Sequence, residues 1–142
     1  MSTNFEPRVP LGDSSILVVD DDSVIANAVS KMLRDAGATV HVADSPNRAI
    51  EIFEQQTIDV VLTDLIMEGA DGLELMASIR SVDNSVSVII MTSHASPDVA
   101  TKVNEMGANG FLRKPFDSST CVDAAVVGLN TRRKILGLEV SE

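Results

Sequence analysis

The sequence predicts an α/β fold, a doubly wound, five-stranded parallel sheet with helices on both faces. Short, unbroken apolar runs alternate along the chain with amphipathic helical patterns. Five such strand–helix pairs follow one another, which is too few for an eight-stranded barrel and therefore favours an open sheet. The length of 142 residues suits one domain.

Five apolar runs predict the strands. Each is short and continuous enough to be covered by helices on both faces, as parallel strands are. In chain order they lie at residues 15–20 (SILVVD), 39–43 (TVHVA), 58–64 (IDVVLTD), 86–92 (VSVIIMT) and 109–114 (NGFLRK).

The first helix is predicted from Ser23 to Ala36, with Gly37 suited to the left-handed conformation that commonly ends a helix. The second and fourth begin with a serine that can cap the helix and a proline at its first position, Ser45–Pro46 and Ser96–Pro97. The apolar residues of these three helices fall at helical spacing. They are Val24, Ile25, Ala28, Val29, Met32 and Leu33, then Ala49, Ile50 and Phe53, and then Val99, Val103 and Met106.

The third helix is predicted from Gly72 to about Arg80, and the fifth from about Asp117. The fifth ends in the cations of residues 132–134, which suit the negative end of a helix dipole. The inward-facing residues of these two helices are predicted to be Leu73, Met76 and Ile79, and Cys121, Val122, Ala125, Val126 and Leu129.

Composition narrows the function classes. Hydrophobic residues make up 44% of the chain and aromatic residues only 3%, so an aliphatic core is expected. The net charge of −10 argues against a nucleic-acid surface. The single cysteine, Cys121, cannot form an internal disulfide, and no apolar stretch approaches the ~20 residues that span a bilayer. A cytoplasmic protein without membrane contact is predicted, since the first ten residues lack a signal-peptide pattern.

The domain is predicted to span residues 15–134. Residues 1–14, with two prolines and a glycine, predict a flexible lead-in, and residues 135–142 a C-terminal tail. Three apolar residues of that tail could extend the last helix or begin a linker, namely Leu136, Leu138 and Val140. The sequence leaves open whether the chain acts alone or was cut from a longer one.

Polar residues gather where the predicted strands end. In a doubly wound sheet these carboxyl ends lie close together, and the ligand binds there. Clustered carboxylates bind Mg²⁺, and Mn²⁺ fits the same ligands. One carboxylate can act as a nucleophile and form an aspartyl phosphate, while a lysine and a hydroxyl hold the phosphoryl oxygens. The residues at these ends are Asp20, Asp21, Asp22, Asp64, Thr92, Ser93, His94, Lys114 and Pro115.

These residues stand in familiar motifs. ILVVDDD, DVVLTDLIMEGADGLEL, VIIMTS and GANGFLRKPF closely resemble the receiver domain of two-component response regulators, the CheY-like member of the flavodoxin-like (βα)5 folds. The resemblance extends from about Ile16 to Leu129. It implies that Asp64 accepts a phosphoryl group, that Asp21 binds Mg²⁺ directly and that Asp20 binds or orients it.

The resemblance also assigns the neighbours of the acceptor. It implies that the backbone carbonyl of Ile66 is a metal ligand and that Thr92, Lys114 and the backbone N–H of Ser93 contact the phosphoryl group. It implies a cis bond before Pro115. The donor would be a sensor histidine kinase or a histidine phosphotransfer protein. Thr92 and Phe111 would then switch the surface of the fourth helix, fifth strand and fifth helix toward an unnamed output partner.

Several positions depart from the family pattern. Phe111 lacks the hydroxyl of the tyrosine often found there, and Glu68 stands where many members carry proline. Ile66 and His94 occupy positions that tune hydrolysis in the family. The apolar Ile66 predicts a longer-lived phosphoryl group or only packs the loop, and His94 can instead be a solvated loop residue. Asp22 can serve the site or only cap the first helix.

Two other functions are weighed against the receiver. A receiver-like module could bind its partner without phosphorylation. A phosphohydrolase of the haloacid-dehalogenase type would use Asp20 as its nucleophile, with Asp22 completing an Asp-x-Asp motif. The sequence lacks the acidic pair that would complete that enzyme's metal site after the lysine strand. We therefore predict a signalling switch that catalyses only its own phosphorylation and dephosphorylation, and not an enzyme acting on another substrate.

Overall fold

The computed structural model describes residues 9–138 and confirms the predicted fold class. The five strands of the main sheet are β1 (Ser15–Val19), β2 (Thr39–Ala43), β3 (Val60–Asp64), β4 (Ser87–Thr92) and β5 (Gly110–Arg113). The helices are α1 (Ser23–Asp35), α2 (Pro46–Gln55), α3 (Gly72–Val82), α4 (Pro97–Glu105) and α5 (Ser118–Ile135). No helix within this described range is long and apolar enough to cross a membrane.

The sheet has the order β2-β1-β3-β4-β5, and every neighbouring pair is parallel. The chain leaves β1 in one direction to form β2 and crosses β1 in the other to form β3. The order therefore switches between β1 and β3, and a crevice opens beyond their carboxyl ends. Asp64 ends one of these strands and Asp20 directly follows the other.

The helices begin where side-chain caps satisfy their first backbone N–H groups. Ser45 accepts from Arg48 N–H and Ser96 from Val99 N–H, and a proline follows each serine, as predicted. Asp22 accepts from the N–H groups of Val24 and Ile25, so it caps α1. The remaining two N-caps are Asp71 on α3 and Asp117 on α5.

The sheet separates two apolar cores. Alternate residues of each strand point to opposite faces, so Leu17 lies in one core and its neighbour Val18 in the other. The α2–α4 core takes its helical residues from α2, α3 and α4, including Phe53, Met76 and Val103. The α1–α5 core takes them from α1 and α5, including Val29, Leu33, Cys121, Ala125 and Leu129.

Parts of the predicted helix faces need correction. In α1 the buried residues are Ala26, Val29, Ser30 and Leu33, whereas Val24 is 76% exposed. Ala28, one turn after Val24, is exposed as well. The buried face of α1 is therefore rotated around the helix axis relative to the predicted one. Met106 follows the last turn of α4 and is also exposed. Val122 and Val126 of α5 are half-buried and pack against the α1–α5 core.

A two-stranded hairpin between β3 and α3 was not predicted. Ile66 pairs with Asp71 and Met67 with Ala70 in antiparallel register, outside the main sheet. Strands of two residues are too short to leave a periodic pattern in the sequence. The hairpin projects beside the carboxyl ends of the strands, where the polar residues gather.

The packed structure begins before the predicted boundary at residue 15. Leu11 is fully buried in the α1–α5 core, and its N–H donates to the Ala36 carbonyl oxygen at 2.9 Å. At the other end α5 stops at Ile135, and Gly137 adopts a positive φ of 72° that ends the helix. Leu136 and Leu138 therefore do not extend the helix. Residues 1–8 of the predicted lead-in and Val140 of the tail lie outside the described residues.

Arg132 links α5 to the amino-terminal ends of the sheet strands. The sequence predicts only a cation at a helix end, yet this side chain is 9% exposed. Its Nε lies 3.1 Å from Asp59 Oδ1, and its Nη1 lies 2.8 Å from Asp83 Oδ2 and also donates to Ser85 Oγ. Asp59 precedes β3 and Asp83 precedes β4, so one guanidinium joins three elements.

Candidate functional site

The carboxyl ends of the strands carry the site. Asp20 follows β1 and is 1% exposed, Asp64 ends β3 and is 8% exposed, and Thr92 ends β4 and is 1% exposed. Buried polar groups of this kind need partners. Asp20 Oδ1 accepts the Asp22 N–H at 2.9 Å, which holds the acidic run against the end of β1.

Three carboxylates meet at this edge. One oxygen from each of Asp20, Asp21 and Asp64 lies within 4.8 Å of the other two. Asp22, engaged as the α1 cap, is not part of this cluster. Two carboxylates about 4 Å apart repel by about 4 kcal/mol at an effective dielectric near 20, so the cluster needs compensating positive charge.

Lys114 supplies part of that charge. Its Nζ lies 2.7 Å from Asp20 Oδ2 and 3.3 Å from Asp64 Oδ1, and its side chain is 10% exposed. Lys114 follows β5, and its backbone N–H donates to the Thr92 carbonyl oxygen at 2.9 Å. The Lys114–Pro115 bond is cis, as the family resemblance implied. One ammonium therefore bridges two of the three carboxylates.

The environment raises the pKa of Asp64. Burial is the largest cause, the Lys114 charge opposes it, and the negative charge of Asp20 adds to it. Hydrogen bonds from Lys114 and from the backbone of Ile66 also lower the pKa, but they do not reverse the shift. The ionised Asp64 carboxylate is thus held at a cost in stability in the metal-free protein.

We therefore expect Asp64→Asn to stabilise the metal-free protein at pH 7. The substitution removes the repulsion with Asp20, while Lys114 keeps its contact with Asp20. The expected gain is about 1 kcal/mol, or about 4 °C in Tm for a domain of this size. Thermal unfolding of both proteins in a chelator measures it.

The pH dependence gives the control. Because the folded-state pKa of Asp64 is raised, the parent protein keeps its full stability below the unfolded-state pKa of 3.8. It loses stability as the pH rises through the folded-state pKa of Asp64. The parent and Asp64→Asn should therefore converge in Tm as the pH approaches 4. If Asp64→Asn were less stable than the parent at pH 7, the ionised Asp64 carboxylate would not be a cost to the stability of the metal-free protein.

The residues that follow β4 lie nearer the surface than Thr92 does. Thr92 Oγ1 accepts the His94 N–H at 3.0 Å, so His94 is linked to the site through its backbone. The side chains of Ser93 and His94 are exposed. Phe111 of β5 is half-buried, packs against the α2–α4 core and lines a cavity of about 120 Å³ with Ala100, Val103, Asn104 and Ala108.

Gly72 was predicted only as the start of the third helix, but the structure places it directly against the end of β3. A Cβ at this position would collide with the backbone carbonyl oxygen of Asp64. The Gly72 N–H donates to the Leu65 carbonyl oxygen at 2.8 Å, and Thr63 Oγ1 donates to the Asp64 carbonyl oxygen at 3.0 Å. The start of α3 therefore lies directly against Asp64. The Asp-Gly pair before a helix is the signal that could have indicated this contact.

Ile66 lies on the other side of Asp64, in the first strand of the hairpin. Its side chain is 56% exposed, which is unusual for an isoleucine. Its backbone forms a hydrogen bond to the Asp64 carboxylate, while the side chain lines a groove with residues of α3 and α4 that include Leu73, Val99 and Val103.

Comparison with known proteins gives one family. The family model described as the response regulator receiver domain matches residues 16–126, well over half of the chain. This range contains every residue of the cluster described above.

Curated relatives agree with that match over part of their length. The chain is 38% identical over 111 residues to the DNA-binding transcriptional regulator NtrC of Salmonella typhimurium, covering 78% of this chain and 23% of that protein. It is 36% identical over 102 residues to the transcriptional regulatory protein ZraR of Klebsiella oxytoca, covering 72% and 23%. The chain thus spans about a quarter of the length of these relatives.

Two solved structures match over nearly their whole length. A response regulator receiver domain protein from Clostridium thermocellum superposes with a TM-score of 0.79 at 33% identity, covering 87% of this chain and 98% of that one. The chemotaxis response regulator CheY4 of Vibrio cholerae gives a TM-score of 0.75 at 29% identity, covering 82% and 98%.

Proposed function

The chain belongs to the response regulator receiver domain family, whose standard role is to accept a phosphoryl group, and from this premise we propose that Asp64 is the acceptor. The observation that carries the proposal is the position of Asp64 at the end of β3, with Lys114 Nζ 3.3 Å from its Oδ1 and two further carboxylates beside it. The Lys114 cation helps the Asp64 carboxylate to approach a phosphate, because the two negative groups would otherwise repel each other.

The donor set fits a divalent metal. Asp20, Asp21 and Asp64 present carboxylate oxygens within 4.8 Å of one another, and hard cations such as Mg²⁺ prefer oxygen ligands. The family resemblance adds the backbone carbonyl of Ile66, and Mn²⁺ would fit the same oxygens. When bound, the metal neutralises negative charge on the carboxylates and on the phosphoryl oxygens.

The transfer itself uses the chain's own residues. A carboxylate oxygen of Asp64 attacks the phosphorus of a phosphohistidine, the new P–O bond forms as the P–N bond breaks, and the imidazole leaves and takes a proton from water. Lys114 Nζ pairs with one phosphoryl oxygen. Thr92 Oγ1 and the Ser93 backbone N–H donate to others. The donor would be a sensor histidine kinase or a histidine phosphotransfer protein.

A switch would follow from the new charge at Asp64. Thr92 reorients toward the phosphoryl group, and the ring of Phe111 moves into the space that it vacates along the sheet. Phe111 lies on β5 between α4 and α5, so the surface of these three elements changes and with it the affinity for an output partner. The domain would therefore be a signalling switch that catalyses only its own phosphorylation and dephosphorylation.

The exposed Ile66 would tune the lifetime of the phosphoryl group. Its apolar side chain is 56% exposed two residues after Asp64, and we propose that it hinders a water molecule that attacks the phosphorus. His94, two residues past Thr92, is exposed and would border the other side of the same path.

Intact mass after incubation with acetyl phosphate tests the acceptor. The parent should gain one phosphoryl group with Mg²⁺ and none in a chelator, and Asp64→Asn should gain none. Asp22→Asn is the matched control, because asparagine caps a helix about as well as aspartate and Asp22 lies outside the cluster.

Two results would support the other functions. Uptake that survives in Asp64→Asn but is lost in Asp20→Asn would indicate the phosphohydrolase with Asp20 as nucleophile. No uptake from acetyl phosphate or from a histidine phosphodonor, with partner binding retained, would indicate a phosphorylation-independent interaction module.

A further inference from the structure

The backbone of the hairpin contacts the carboxylate cluster. The Glu68 N–H donates to Asp21 Oδ2 at 2.8 Å, across 47 residues of chain. Glu68 lies at the tip of the hairpin, between the paired residues Met67 and Ala70. A proline at this position could not make this bond because it has no N–H.

The bond matters because the three carboxylates are held in different ways. Asp20 is buried and accepts from both Lys114 and the Asp22 N–H. Asp64 is buried and pairs with Lys114. Asp21 is exposed, and Lys114 does not pair with it among the described contacts. Without the hairpin, the Asp21 side chain would be free to turn toward solvent.

We propose that the Glu68 backbone N–H positions the Asp21 carboxylate for the metal, an inference that rests on the metal site proposed above. A carboxylate has two oxygens, so one can accept this N–H while the other binds a cation. Ordering the side chain before the metal arrives removes that entropy cost from binding. Glu68 is thus a positioning residue through its backbone, whatever its side chain does.

The turn geometry allows a clean test. Gly69 has a positive φ of 70°, whereas among the described residues other than glycine only Asp13 does, so the φ of Glu68 is negative. A positive φ at the second turn residue alone is the pattern of a type II turn, which accepts proline at its first residue. Met67 is in an extended strand, which is the conformation required before a proline.

The experiment compares Glu68→Pro with Glu68→Ala in the full chain. Both variants lose the carboxylate of Glu68, and only the proline loses the N–H. Calorimetric titration with MgCl₂ should give a Kd about fivefold weaker in Glu68→Pro than in Glu68→Ala, the size expected for one exposed hydrogen bond to a charged acceptor. Circular dichroism of both variants checks that they fold.

A second measurement needs no metal. In a chelator, the amide of residue 68 should exchange with solvent more slowly in the parent and in Glu68→Ala than in Asp21→Ala, because the last has no acceptor. This result would hold even if Glu68→Pro failed to fold.

Each outcome decides the proposal. Equal Mg²⁺ affinity in Glu68→Pro and Glu68→Ala, or tighter binding by the proline variant, would overturn the positioning role and leave the metal site standing. Unchanged amide exchange in Asp21→Ala would overturn it as well. A parent that binds no Mg²⁺ would remove the metal site itself, and the positioning role with it.

Discussion

Phosphoryl uptake by Lys114→Met is expected to be about a hundredfold slower than uptake by the parent, the usual effect of removing one group that stabilises transition-state charge. The Lys114 ammonium lies 2.7 Å from Asp20 and 3.3 Å from Asp64, so it is placed to pair with a phosphoryl oxygen that arrives between them. The rate is measured by intact mass over time with acetyl phosphate and saturating Mg²⁺.

Metal binding separates this effect from damage to the site. Removing a cation that contacts two carboxylates should leave the Mg²⁺ affinity unchanged or raise it. Lys31→Met is the matched control, since Lys31 pairs with the exposed Asp35 on α1 and its side chain is 76% exposed. A Lys114→Met variant that takes up phosphate within threefold of the parent rate would contradict the role given to Lys114.

Arg132→Met is expected to lower the free energy of unfolding by about 3 kcal/mol, the lower end for breaking a buried ion pair. The lower end applies because Asp59 and Asp83 keep 22% and 31% of their side chains exposed. Both carboxylates lose their cation when the guanidinium is removed, and α5 loses its anchor at the amino edge of the sheet. Urea unfolding at pH 7 measures the change.

The pH dependence of that change follows from Asp83. Burial raises the pKa of Asp83, but hydrogen bonds from Ser85 and Arg132 and the Arg132 charge outweigh it and lower the pKa below 3.8. A depressed pKa contributes stability above the unfolded value that is lost as pH falls through the folded value. The difference between parent and Arg132→Met should therefore shrink below about pH 4.

Lys134→Met is the control for Arg132. Lys134 is an exposed cation in the same last turn, and its removal should change stability by less than about 1 kcal/mol through the helix dipole. Equal stability losses in the two variants would show that the buried network adds nothing beyond the charge at the helix end.

The sequence was most informative where local chemistry decides structure. Apolar runs marked all five strands, and Ser45–Pro46 and Ser96–Pro97 marked two helix starts to the residue. The parallel arrangement then implied that residues after different strands would meet. The structure brings Asp20, Asp64, Thr92 and Lys114 to one edge for that reason.

Contacts between residues far apart in the chain were harder to predict from the sequence. Arg132 stands among other cations at a helix end, and its burial depends on Asp59 and Asp83, far away in sequence. Leu11 lies in a segment rich in turn residues, so its burial is set by α1 and not by its neighbours. The Glu68 N–H is a backbone group, and no side-chain pattern reports its partner.

The separation of the interior by the sheet also affects how the sequence can change over generations. Adjacent residues of β5 face opposite ways, with Phe111 against the α2–α4 core and Leu112 inside the α1–α5 core. Substitutions in the two cores share few partners, so their effects on stability should add. The core beneath α2 and α3 can accordingly accumulate changes separately from the core that α1 shares with α5.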